Sequence, residues 1–86
     1  MKVGSVVYSK QGRDVGRAYV VCALGDKEGY VWVVDGEVRT LAKPKNKNVR
    51  HLRYKGEDLE ALAVKFTEGK QVFDSEIKSA LRAYAK

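Results

Sequence analysis

Residues 3–24, VGSVVYSKQGRDVGRAYVVCAL, decide how the chain is to be read. Val3, Val6, Val7 and Tyr8 form a short β-branched and aromatic run, the composition that suits a pleated, half-buried surface. Polar residues from Ser9 to Asp14 close that run. Gly16 then precedes a second, nearly continuous apolar run, Ala18 to Leu24, which stops at Gly25. Two strand-like runs joined by a short polar loop with glycines read as an antiparallel pair.

The pattern continues outward. Tyr30 to Val34 is a third apolar run and holds the only tryptophan, Trp32. Asp35-Gly36 follows at once, and Glu37 to Leu41 resumes the strand pattern, so a two-residue type I′ hairpin is expected there. Val49 to Leu52 is the expected fifth strand. Short strands with no helical period between them predict a mainly β fold, a small SH3-like antiparallel barrel over residues 1–53.

The period changes in residues 54–86. Leu59, Leu62, Ala63 and Phe66 fall on one face of a helix, with Glu57, Asp58 and Glu60 in the expected first turn and Gly69 as its stop. Ile77, Ala80, Leu81 and Tyr84 repeat that spacing in a second helix, with Asp74 as expected N-cap, Glu76 in the first turn and Lys86 at the end. A C-terminal helical hairpin is predicted, packed on itself and on the barrel or else docking a partner.

Eighty-six residues make one domain with one modest core, since a chain this short buries only about 60–65% of its unfolded surface. With 44% hydrophobic and 33% charged residues, it has the composition of a globular protein. It has neither the apolar run of a membrane span nor, at its start, the apolar segment of a signal peptide. The single cysteine, Cys22, suggests a reducing compartment, with the cytoplasm as default. The net charge of +6 is uneven: residues 1–55 hold twelve Lys/Arg against five Asp/Glu, and residues 56–86 five against six. Between residues 38 and 56 no acid interrupts Arg39, Lys43, Lys45, Lys47, Arg50, Arg53 and Lys55, which surround Pro44 and His51. A one-signed run of this density attracts polyanions.

Catalytic chemistry finds no support. His51, the only histidine, has no nucleophile or carboxylate beside it in sequence. Cys22 lies in an apolar run, where a buried, inert thiol is expected, and one Cys with one His cannot close a zinc site. No helix follows Gly12–Gly16, which excludes a P-loop, and no cofactor is expected.

Gly4, Gly12, Asp14 and Gly16 space the first two strands as Gly-x-Val-Val-Tyr-x-x-x-Gly-x-Asp-x-Gly-Arg. This resembles the KOW motif, a strand–loop–strand element of ribosomal proteins and transcription elongation factors, over about Val3 to Gly29. The Val-Asp-Gly segment (residues 34–36) and the basic stretch from Arg39 to Lys45 are most similar to the large-subunit ribosomal protein family "L fourteen e" and its small bacterial relatives. Tyr19 stands where many KOW motifs carry a second glycine, and the tail from Glu57 on matches no feature of the family. The resemblance implies RNA binding, ribosomal RNA above all, through basic loops, and Gly16 is the glycine expected with positive φ. The residues themselves nominate Lys10, Arg13, Arg17, Arg39, Lys43, Lys45, Lys47, Arg50 and Arg53 as the RNA surface, with Gly12 and Gly16 shaping the loop. Asn46 and Asn48 read polar edges or make turns. Tyr8, Tyr19, Tyr30 and Trp32 are either barrel core or stacking platforms. The alternative to RNA is a protein partner, ribosomal or from the transcription machinery, docked on the barrel or the C-terminal helices; DNA comes third.

Overall fold

The architecture is that of a computed structural model, which describes residues 1–84. Five strands, β1 (Ser5–Ser9), β2 (Ala18–Leu24), β3 (Tyr30–Val34), β4 (Lys45–Asn48) and β5 (Leu52–Asp58), form one antiparallel sheet of order β4-β3-β2-β1-β5. Helices α1 (Glu60–Thr67) and α2 (Asp74–Leu81) follow. The predicted mainly β fold with two C-terminal helices is therefore present. The sheet curls into a small barrel. Two strands separate β4 from β1 in the sheet order, yet the Lys47 ammonium on β4 lies 3.3 Å from Ser9 Oγ on β1.

Both faces of the sheet carry a buried apolar cluster. Val7, Tyr19, Val21, Val31, Val33 and Leu52 fill the barrel interior. On the other face Val6, Ala18, Val20 and Val34 pack beneath Leu62, Ile77 and Leu81 of the helices. Successive residues of a strand point to opposite faces, so a strand covered on both sides reads as a continuous apolar run. That accounts for Ala18–Val21 of the run, though not for its exposed end at Ala23 and Leu24, and for two apolar clusters where one was expected. The helices share the second cluster, joined by a Lys65–Glu76 ion pair at 2.5 Å. Ile77 is fully buried, which at about 1.5–3 kcal/mol for a side chain of this size makes it an anchor of the assembly.

Several local expectations are corrected. Glu37–Leu41 is not a strand; β3 pairs instead with Lys45–Asn48. Gly36 does have the positive φ, 78°, that the hairpin signal implies. Its Cβ position, however, lies 2.3 Å from the Asp74 carbonyl oxygen, so the glycine permits a close approach to α2. The Asp35 carboxylate accepts the Glu37 and Arg39 N–H groups at 3.0 and 2.8 Å, which folds the loop on itself. Leu41 then packs into the helix-side cluster, its N–H donating to the Asp74 carboxylate at 2.8 Å. Asp74 thus holds this loop rather than capping its own helix. Phe73 occupies the N-cap, and Glu76 accepts its N–H at 3.3 Å.

The expected fifth strand, Val49–Leu52, is mostly a 3-10 turn (Val49–His51), because the Asn48 side chain accepts the Arg50 N–H. The strand begins at Leu52 and runs to Asp58, so the boundary expected after residue 53 falls inside β5. Glu57 and Asp58 consequently belong to β5 and not to the first turn of α1. Asp58 accepts the Ser5 hydroxyl at 2.7 Å, and Glu57 accepts the Tyr8 hydroxyl at 3.1 Å. Lys86, the expected end of the second helix, lies outside the described residues.

Candidate nucleic-acid interface

The loop between β1 and β2 is built around Asp14. Gly12 and Gly16 sit at φ 85° and 87°, a region open to glycine; of the two, positive φ was expected at Gly16. The Gly16 N–H donates to the Ser9 carbonyl at 2.9 Å and closes the loop at its base. The Asp14 carboxylate accepts the Ser9 hydroxyl at 2.8 Å and the buried Tyr19 hydroxyl, and stands 3.6 Å from the Lys47 ammonium. Burial pushes the Asp14 carboxyl up, but the hydrogen bonds from Tyr19 and Ser9 and the Lys47 charge outweigh it and hold the group at about 2. Burial and the bond to Asp14 push the Tyr19 hydroxyl up. Tyr19 is therefore a lock on this loop and not a stacking platform.

Lys47 is the main correction among the nominated cations. It is 8% exposed and faces Ser9 and Asp14 across the barrel, so it belongs to the frame. Arg17 is half committed: its guanidinium lies 2.6 Å from Asp35 and ties the β1–β2 loop to the β3–β4 loop. Burial raises the Asp35 carboxyl, but the Glu37 and Arg39 N–H groups and Arg17 bring it below its usual value.

The other nominated cations, Lys10, Arg13, Arg39, Lys43, Lys45, Arg50 and Arg53, form no ion pair among the described residues, nor does Lys55. They do not all stand together. Lys45 lies on β4 and Lys43 just before it, and neither lines the groove that holds Lys10 and Arg53. Arg50 is exposed on the 3-10 turn, while Arg39 is half-buried, its N–H and carbonyl engaged with Asp35.

The β1–β5 pairing gathers the compact group. Arg53 stands opposite Tyr8, and the Lys10 N–H donates to the His51 carbonyl at 2.8 Å. Lys10, Arg53 and Lys55 surround an open groove of about 350 Å³ whose walls include Tyr8, Val15 and Tyr84. The Lys55 ammonium lies 4.6 Å from the centre of the Tyr8 ring and covers one of its faces. Tyr30 and Trp32 are half-buried and belong to neither apolar cluster, each opposite an asparagine of β4, Asn48 and Asn46 respectively.

Lys55, Arg82 and Tyr84 were not nominated by the sequence. Lys55 belongs to the basic run, and its place beside Tyr8 follows from strand register. Arg82 and Tyr84 follow α2, and only the packing of that helix on the sheet brings them to the loop. Cys22 is half-buried against the helix-side cluster, and burial pushes its thiol up, as an inert cysteine requires. Among the described residues no cluster of three or more His, Cys, Asp or Glu could hold a metal ion. Among those residues, no helix is long and apolar enough to cross a membrane. Neither the models of known protein families nor the characterised proteins compared with the chain match it.

Proposed function

We propose that this chain is an RNA-binding protein rather than an enzyme. It grips structured RNA, with ribosomal RNA the expected target, through phosphate contacts and shape. The observation that carries the reading is the groove where Lys10, Arg53 and Lys55 stand beside the Val15–Gly16 lip, with no ion-pair partner among the described residues. These charges sit on a barrel strand and a loop pinned by Asp14, so little backbone entropy is lost when phosphates arrive, and the cost is confined to the side chains. Arginine supplies a fork for phosphate oxygens and lysine a point charge. The KOW resemblance of residues 3–29 supports the same reading, as does the strand–loop–strand geometry of β1 and β2. A reducing compartment such as the cytoplasm suits both the ribosomal role and the thiol of Cys22.

A protein-docking role through the helices is less favoured, because Ile77 and Leu81, its natural anchors, are buried against the sheet. The test is ultraviolet crosslinking in cells followed by sequencing of the attached RNA. Enrichment of ribosomal RNA fragments is expected; recovery of no RNA would overturn the proposal.

A further inference from the structure

A second cleft adjoins the first. It lies between the β1–β2 loop and the end of α2, has a volume of about 540 Å³, and shares Val15 and Gly16 with the basic groove. That volume is within the range of small-ligand sites, about 300–1,000 Å³. Its acids are all answered: Asp35 by Arg17 at 2.6 Å, Glu37 by Lys78 at 3.6 Å and Asp14 by Lys47 at 3.6 Å. Two arginines of its wall, Arg13 from the loop and Arg82 from just beyond α2, form no ion pair among the described residues. Ala18 and Leu81, both buried, and the exposed Val15 give the same cleft an apolar lining.

We propose that this cleft receives one unpaired nucleotide of the bound RNA, with its phosphate between Arg13 and Arg82 and its base against Val15 and Leu81. The proposal rests on the RNA-binding reading and deepens it. A chain of phosphates lying in the basic groove meets the second cleft directly across the Val15–Gly16 lip. Nothing lies within 4 Å of the position a Gly16 Cβ would occupy, so a polymer backbone can pass close there. A base in a stem remains stacked and paired, whereas a bulged one is splayed out and can enter a concave site. The inference also gives the C-terminal helices a role: α2 is one wall of the RNA site.

The test compares two fluorescent RNAs, a stem-loop with one bulged adenosine and the same stem-loop without it, binding to the whole chain. The wild type is expected to favour the bulged RNA by about tenfold, the scale of one charge-assisted contact. Arg82→Ala, and separately Arg13→Ala, should abolish that preference and bring the bulged RNA close to the affinity of the plain stem-loop. Arg53→Ala with Lys55→Ala should weaken both RNAs by the same factor. Equal wild-type affinity for the two RNAs, or an Arg82→Ala loss shared equally between them, would overturn the cleft while leaving the groove reading intact. Binding of neither RNA would overturn both.

Discussion

Replacing Lys47 by Met separates frame from interface. The lysine is one of seven cations between residues 38 and 56, and by sequence it equals its neighbours. In the fold it is 8% exposed, 3.6 Å from Asp14 and 3.3 Å from Ser9. Met keeps most of the aliphatic stem and removes only the charge and the hydrogen bond. The descent of the Asp14 carboxyl from 3.8 to about 2 corresponds to about 2 kcal/mol in favour of the folded state, at about 1.4 kcal/mol per unit. Lys47 contributes to that descent after Tyr19 and Ser9, and its replacement also relieves the desolvation of a buried ammonium. A net loss of about 1 kcal/mol is expected, lowering Tm by roughly 4–8 °C in a domain of this size.

The pH dependence has a definite sign. A depressed carboxylate contributes stability that is complete above its unfolded value of 3.8 and is lost as pH falls through about 2. The Tm gap between wild type and Lys47→Met should therefore be widest near neutrality and close as pH approaches 2. Circular dichroism melts across that range measure it. The slope of RNA affinity against salt should be the same for both proteins. An unchanged Tm with a slope lower by about 0.7–0.9, the share of one phosphate, would refute the structural role and return Lys47 to the RNA surface.

Other expectations follow from the way the loop and helices dock. Gly36→Ala puts a Cβ 2.3 Å from the Asp74 carbonyl oxygen at a φ of 78°, so chemical denaturation should show a loss of about 2–3 kcal/mol. A loss below about 0.5 kcal/mol would mean that the loop does not sit on α2. Ile77→Asp places a charge at a fully buried position and should unfold the chain, a cost of roughly 4 kcal/mol or more. A folded Ile77→Asp protein that loses only a binding partner would instead make α2 a docking face.

The strands that the sequence reveals are those with a hydrophobic reason to be strands. β1, β2 and β3 carry valines on both faces, and α1 and α2 carry apolar stripes at helical spacing. β4 has the sequence Lys-Asn-Lys-Asn, with no β-branched or aromatic residue, and becomes a strand because β3 offers it an edge. Asp35-Gly36 signals a positive φ correctly but not its use, because the partner of Gly36 lies on α2, far along the chain. Charge alone cannot separate Lys47 from Lys55; the distinction depends on Ser9 and Asp14, residues brought near only by closure of the barrel. The groove is half legible for the same reason. Lys10 and Arg53 stand out as cations, but their meeting around Tyr8 is a consequence of the β1–β5 register.

The proposed RNA site is the groove between β5 and the β1–β2 loop. The most direct test of the proposal is the salt dependence of affinity for a structured ribosomal RNA fragment, for the wild type and for a protein with Lys10, Arg53 and Lys55 all changed to Ala. These side chains are exposed and form no ion pair among the described residues, so the fold should be retained. The log–log slope should fall by about 2–3, at about 0.7–0.9 for each phosphate no longer neutralised. A slope and affinity equal to those of the wild type would contradict the proposal.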